Sequence, residues 1–483
     1  MKGAVTRRYT VLIFIPIIVL LAWGFHYEVH FEDALALAPD KEYRVAISFW
    51  RIIFEPFVGP VLYWNRSIYV LTELPLTFFW ALVFYLAAGT VEVFRNTFSK
   101  KGIIIEKLTN IPMVVGICFA IFVAILFLPL PNNTIENKSE NGVLVTTHAH
   151  TQFSHDGLIT QENLWKWHKK NGFDAFFITD HNNHLKTLEF SKEQRLGKLP
   201  MHPLVMVGEE FSGSNHMSLL GLHGSFNTKG MTDKAVIDSV HYHGGAVIIN
   251  HWFDGKGKEK EHYEALGANG FEIENAGKAL YYDRALFAQL RKFCEDKGLT
   301  MVGGLDFHGY GRVCSLYNAF QIPYWDTLDA IAKEKAIIDI LKNGPQEKLK
   351  ILLYKDRPFY EESSLLFRPF ITLVNYFRTL NVAQVASWIF WLLILQGMAN
   401  RYQKRPVWLK GKATLIFSFA SALFVLVLGM AYYLRGKAVV GYSDLYSEYS
   451  VVLIPTGLGL LFYGLVILYA RQVPSRKKRR PEN

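Results

Sequence analysis

Residues 143–157, VLVTTHAHTQFSHDG, place three or four metal-capable side chains within a stretch of nine residues. The β-branched run Val143 to Thr147 reads as a buried strand that ends in His148-Ala149-His150. Alternate residues of a strand share a face, so His148 and His150 aim two imidazoles at one point just past the strand end. His155 and Asp156 follow in a loop stopped by Gly157. A lone buried His is usually a satisfied core residue. A cluster of this density is not explained by packing, and its chemistry is that of divalent-cation binding.

Elements further along repeat the arrangement. Phe176-Phe177-Ile178-Thr179 leads into Asp180-His181, and Leu204-Val205-Met206-Val207 into Gly208-Glu209-Glu210. His216 opens Met217-Ser218-Leu219-Leu220, and Ala246 to Asn250 leads into His251. Met301-Val302-Gly303-Gly304 leads into Leu305-Asp306-Phe307-His308-Gly309. Most of these put a His or a carboxylate at the C-terminal end of an apolar strand, where α/β barrels keep their active sites. Between them, Thr160 is placed to cap a helix to about Asn171, with Gly172 as the stop, and Thr232 to begin another ending at Gly244-Gly245. Helices over 279–297 and 328–343 and a strand Phe271–Asn275 complete an alternating, mainly parallel α/β pattern.

In order, HAHT, SHDG, TDHNN, GEE, HMSLLG, INHW and GLDFHG resemble the successive motifs of the PHP (polymerase and histidinol phosphatase) family over about residues 143–345. The resemblance implies a distorted (β/α)7 barrel and a site for three divalent metal ions, Zn, Mn or Fe. One metal would take His148, His150, Glu210 and Asp306. A second would take His181, His308 and a residue of the SHDG loop. A third would take His216 and His251, with Glu210 bridging to the first. Imidazoles and bridging carboxylates suit such cations, and paired cations clamp a phosphate and generate hydroxide near neutral pH.

Relatives often read S-D-G, whereas Ser154-His155-Asp156-Gly157 carries an extra residue. Either His155 or Asp156 supplies the ligand, and Asp156, which directly precedes the Gly, is favoured. The G-x-E spacing selects Glu210 and turns Glu209 away. His184 is a candidate substrate contact, His223 a candidate proton donor to the leaving group, and Arg312 a candidate phosphate neutraliser; a packed His, a strand cap and a structural ion pair are the plainer readings. Asn182 is a candidate partner orienting His181. His241 and His243 read as surface residues at a helix end, and His168 and His262 as helix-surface residues.

The chain of 483 residues is 51% hydrophobic and carries a net charge of +10. Fourteen of its sixteen His lie between 148 and 308, while both ends hold long apolar runs. Spans are expected at Tyr9 to Phe25, Leu71 to Phe94, Ile111 to Leu130, Asn381 to Met398, Ala413 to Leu434 and Val451 to Ala470. The stretch 45–64, interrupted by Arg51, Glu55, Pro56 and Pro60, reads as interfacial or re-entrant, and Pro369 to Leu380 as an amphipathic segment along the surface. The expected organisation is a membrane region 1–131, a linker 132–142, a metallohydrolase domain 143–358, a second membrane region 359–470 and a basic tail 471–483. Lys and Arg concentrate at the N-terminus, near residues 95–107 and 401–412, and in the tail, so the positive-inside rule puts both termini in the cytoplasm and the central domain outside. The basic tail reads as a cytoplasmic stop signal rather than a nucleic-acid contact. Three Cys form no framework or CxxC site, although a Cys294–Cys314 bridge is conceivable.

These observations favour an integral membrane phosphoesterase of the bacterial cytoplasmic membrane, acting on a phosphorylated small-molecule or lipid-linked substrate. Glu55 and Glu92 are the few pointers to a transporter or sensor with an accessory metal domain. An amide or acetyl hydrolase on the same ligands is the other enzyme reading.

Overall fold

The computed structural model describes residues 10–66, 70–95, 100–276, 284–311, 314–343, 346–358, 364–401, 412–438 and 443–477. Short apolar runs bounded by Gly or polar residues form its strands. They are β1 His30–Asp33, β2 Ala38–Pro39, β3 Tyr43–Ala46, β4 Thr134–Asn137, β5 Gly142–Thr146, β6 Ala175–Ile178 and β7 Leu204–Ser212, followed by β8 His216–Leu220, β9 Ala246–Ile249, β10 Gly270–Asn275, β11 Thr300–Gly304, β12 Leu316–Gln321 and β13 Leu349–Lys355. The main sheet is mixed and runs β11-β10-β9-β8-β7-β6-β5-β12-β13-β1-β2.

The seven strands β5 to β11 curl into a barrel, with neighbours parallel except β8, which is antiparallel to β7 and β9. The ring closes beyond the ends of β5 and β11, through a parallel bridge between Ala149 and Phe307. There His150 N donates to Phe307 O at 2.9 Å and Asp306 N to His148 O at 3.0 Å. Because β8 runs backwards, its first residue, His216, lies at the same barrel end as the last residues of the parallel strands. The strands are apolar on both faces, as strands covered on both sides must be; all of Ala246–Ile249 and Ala175–Ile178 are buried. Helices Gln161–Lys170 and Asp233–Tyr242 are capped as their sequences require: Thr160 accepts from Asn163 N at 3.1 Å and Thr232 from Ala235 N at 3.3 Å.

Several boundaries differ from the sequence reading. The expected linker 132–142 contains β4, which pairs with β3, and β1 joins β13 at the main sheet's edge. The strands within 30–46 therefore pack on the barrel, while the following residues 49–65 pack against the helices at 368–401. Strands β12 and β13 are not marked by any motif. Within 45–64 the chain forms two short helices, Phe49–Ile53 and Glu55–Asn65. All three Cys are free, so the Cys294–Cys314 bridge is not formed.

Among the described residues, four helices are long and apolar enough to cross a membrane: Leu71–Arg95, Lys100–Phe127, Ala413–Ala438 and Leu445–Arg471. They present large apolar side chains outward, such as Phe94 at 79% and Phe462 at 70% exposure, as a lipid-facing surface does. The first expected span is a shorter apolar helix, Phe14–Gly24, and Tyr9 lies outside the described residues. The expected span Asn381 to Met398 is the helix Val382–Met398, bent by 113° from Leu365–Arg378, which holds most of the stretch Pro369 to Leu380 expected to lie along the surface.

Candidate metal centre

All nine residues expected as ligands converge at the barrel end where the ring closes. His148 and His150, both fully buried, point their Nε2 atoms to within 3.0 Å of each other. Glu210 Oε2 lies 3.2 Å from each of these nitrogens, and Asp306 Oδ1 lies 3.3 Å from each. A cation holding four ligands tetrahedrally at about 2.0–2.2 Å sets them about 3.3–3.6 Å apart, so this separation suits one.

Beside this group, Asp156 Oδ2 lies 3.0 Å from His308 Nε2 and 3.4 Å from His181 Nε2. Their ligand atoms and one of His150 form a second set able to hold a cation. The His155 side chain is 67% exposed, so the SHDG loop turns Asp156, not His155, inward. Gly157 makes that turn possible: a Cβ there would lie 1.9 Å from Thr151 O. A third set comprises His181, Glu210 and His216. Glu210 joins the sets. Its Oε2 faces His148, His150 and His181, the last at 3.3 Å, while its Oε1 faces His216 at 3.0 Å and His251 at 3.5 Å.

The outer nitrogens of these rings are held from behind. His148 Nδ1 bonds Glu272 Oε1 at 2.8 Å, and His308 Nδ1 the carbonyl of Asp306 at 2.9 Å. Ser212 Oγ sits 3.3 Å from His181 Nδ1. Acceptors at Nδ1 fix the tautomer that turns the Nε2 lone pair into the pocket, as metal-binding imidazoles require. His150 Nδ1 and His251 Nδ1 are buried without a hydrogen-bond partner, the latter 3.3 Å from Asp254 Oδ2. The donor set fits divalent cations.

Electrostatics give the same picture. Burial alone lowers a His pKa, yet Glu210, Asp306 and Glu272 hold His148 well above its ordinary value. Burial is likewise outweighed at His150, which hydrogen bonds to the Asp306 and Glu210 carboxylates push up to about 10. Glu210 and Asp306 are held far below the carboxylate range despite burial, chiefly by His148. With only protons available, His148 and His150 stay charged to offset the carboxylates, whereas burial lowers the pKa of His181. A cation supplies the same positive charge without them.

The backbone here is unusual. Asn182, His251 and Asp306 have φ of 48°, 27° and 50°, in the left-handed region that non-glycine residues seldom occupy. Three such residues at one pocket follow the tendency of strain to gather at functional sites.

Other expected residues fall elsewhere. His184 is 1% exposed, with Nδ1 on Glu209 Oε2 at 2.5 Å and Nε2 on Gly224 O at 2.9 Å, so neither nitrogen is free for substrate. Glu209 does face away, toward His184 and Thr228. His223 is exposed and does not line the pocket. Arg312 lies outside the described residues. Asn182 reaches His181 only through Ser212. His168 is not on the surface but wholly buried, stacked on Phe176 at 4.0 Å.

Three participants were not among the expected site residues. Glu272, buried beneath His148, also accepts from His251 N at 3.0 Å. Gly304 leaves it room, since a Cβ there would lie 2.1 Å from Glu272 Oε1. The run Phe271-Glu272-Ile273-Glu274 could have revealed it, because a carboxylate inside a buried strand is rare unless paired. Asn250 Nδ2 donates to Glu210 Oε1 at 2.8 Å. Lys256 stands at the pocket rim beside Asp254.

The fold is thus an α/β barrel with clustered His, Asp and Glu side chains able to hold metal at one end, joined to long apolar helices. Residues 146–273 match the family model of the PHP domain, and the chain therefore contains a PHP domain. Among solved structures the chain is similar to a two-domain protein containing a predicted PHP-like metal-dependent phosphoesterase from Bacteroides vulgatus ATCC 8482, at 19% identity over 48% of this chain and 69% of that one, with a TM-score of 0.33. It is also similar to PsfC from Pseudomonas syringae PB-5123, at 18% identity over 49% and 98% of the two chains, with a TM-score of 0.32. A third is an amidohydrolase from Chromobacterium violaceum, at 14% identity over 37% and 92%, with a TM-score of 0.27. No curated protein matches the chain.

Proposed function

We propose that this chain is an integral-membrane phosphoesterase whose PHP domain hydrolyses a phosphoester on the extracytoplasmic side. The observation that carries the reading is Glu210, whose two oxygens serve imidazole groups on opposite sides. Three divalent cations would be held by His148, His150, Glu210 and Asp306; by Asp156, His181 and His308; and by His216 and His251 with Glu210 between. When bound, such ions supply Lewis acidity: they lower the pKa of coordinated water and neutralise charge on a phosphoryl group.

The chain's own residues do the rest. Glu272 and Ser212 orient His148 and His181, and Asn250 fixes the Glu210 carboxylate. Lys256 at the rim offers a positive charge to an arriving phosphate. The membrane topology supports an external site. Leu126 meets the barrel at one end of its helix, and Lys100 and Lys101 lie at the other. A basic far end is the cytoplasmic one by the positive-inside rule.

The test is turnover by the full chain with Mn or Zn on a panel of phosphomonoesters, phosphodiesters, amides and acetyl esters. Cleavage of phosphoesters that is lost in both His148→Ala and Asp306→Ala supports the reading. Turnover confined to amides or acetyl groups replaces it with the other hydrolase reading, and turnover unchanged in both variants removes the metal mechanism.

A further inference from the structure

The metal pocket is walled on one side by Asp306–Gly311, and the two faces of this segment look into different spaces. Asp306 and His308 line the metal pocket. Phe307, Gly309, Tyr310 and Gly311 line a second cavity, of about 460 Å³. Its other walls include Ile125, Leu128 and Leu130 at the end of one membrane helix, Tyr432 from another, and Leu158 and Trp167 from the barrel.

This cavity lies where the membrane helices meet the catalytic domain. Gly311 N donates to Leu126 O at 3.2 Å. The Tyr310 ring packs 6.0 Å from Phe127, 6.2 Å from Tyr449 and 6.3 Å from the ring of His308. One aromatic cluster therefore runs from the helix ends to a residue of the metal centre. Leu128 is 45% exposed, although it belongs to an apolar wall. Lys166 and Lys170 border the same cavity, with Lys170 Nζ donating to Leu130 O at 3.4 Å. Trp and Lys beside an apolar space at a helix end mark the level of lipid headgroups. A cavity apolar within, cationic at its rim and one segment away from a cation site matches a molecule with an apolar tail and an anionic head.

Resting on the hydrolase reading above, we propose that this cavity binds the apolar tail of an amphiphilic phosphoester drawn from the adjacent leaflet, whose headgroup reaches the metal centre past the Asp306–Gly311 segment. Tail binding then serves as remote binding energy that places the phosphorus at the site.

Two measurements on the full chain in amphipol test this. With Mn bound, octyl p-nitrophenyl phosphate should show a kcat/KM about tenfold or more above that of methyl p-nitrophenyl phosphate, as burial of a few methylenes gives. Asn163→Trp and Leu128→Trp, at exposed positions on the cavity wall, should each bring that ratio close to one. Equal values for the two esters in the unaltered protein, or a ratio that survives both substitutions, overturns the proposal. The second measurement needs no turnover. Metal-free protein is irradiated with hexadecyl phosphate bearing a terminal diazirine, and labelling is expected within residues 125–130 and 158–170 and suppressed in Asn163→Trp. Labels confined to the lipid-facing helices overturn the proposal. Absence of hydrolysis of either ester counts against the hydrolase reading, while the labelling still decides the tail site.

Discussion

The barrel and the helices beside it each bury a glutamate among polar partners, but the two clusters are completed differently. Glu55, fully buried, receives Arg51 at 2.7 and 3.1 Å, Tyr376 Oη at 2.7 Å and Gln384 Nε2 at 3.0 Å. Trp388 Nε1 in turn donates to Tyr376 Oη at 2.9 Å. Every partner is a permanent donor, and one guanidinium cancels one carboxylate. Glu210 is instead ringed by imidazoles, whose facing nitrogens can present a lone pair as well as a proton, and shares its space with Asp306 and Glu272. The first cluster is closed by protein atoms alone. The second presents lone pairs that converge, and needs added positive charge. A buried charge is therefore not itself a sign of function; what matters is whether the surrounding groups already satisfy it. On this ground Glu55 ceases to point to transport, and Glu92 is a half-exposed residue paired with Lys107 at 3.3 Å.

The sharpest way to break the contrast is to remove one group from each cluster. Asp306→Ala or His148→Ala should lower kcat/KM by at least about a thousandfold, beyond the 10–100-fold typical of losing an outer partner. Bound metal measured by mass spectrometry should fall with it. Arg51→Met should destabilise the protein by about 3–5 kcal/mol, as expected when one partner of a buried pair is lost, and leave metal content unchanged. Arg51→Met with Glu55→Met should recover most of that loss in thermal unfolding. A loss of metal in Arg51→Met would erase the distinction.

Two smaller effects sharpen it. His150 and His168 are both wholly buried, yet carboxylates push the first up to about 10, while burial takes the second, with only Leu164 O as partner, down to about 3 from 6.5. Between about pH 3 and 6.5 the unfolded chain binds a proton at His168 that the folded chain does not, so stability falls as pH drops through that window. His168→Phe, which keeps the stack on Phe176, should lose less stability than the parent between pH 7 and 4, by at most about 3 kcal/mol. Equal acid sensitivity of the two in chemical denaturation would contradict this. Glu272→Gln should weaken metal affinity by about 10–100-fold while unfolding shifts little, as read by competition with a chelator. An unchanged affinity would remove Glu272 from behind the centre.

Most of the centre could be read from the sequence because its ligands sit at strand ends, where one motif fixes both position and direction. His148 and His150 share a face by strand alternation, and the same rule turns Glu210 in and Glu209 out. The turn that selects Asp156 over His155 depends on Gly157 approaching Thr151, a tertiary contact with no local signature. Glu272 and Asn250 were hidden because they act through other residues. His184 and His168 misled because His at a loop or on a helix carries no mark of burial. The pairing of β1 with β13 was missed because His30–Asp33 is mostly polar and the pairing spans more than three hundred residues of chain. Among the helices, length and apolarity found the four long ones, whereas the bend between Arg378 and Val382 is set by packing.

The most direct test is anomalous scattering from crystals of the full chain loaded with Zn or Mn. The account predicts three peaks within the one pocket: one among His148, His150, Glu210 and Asp306, one touching Asp156 rather than His155, and one at His216 and His251. No peak between His148 and His150, or ions bound only at sites remote from Glu210, would contradict it.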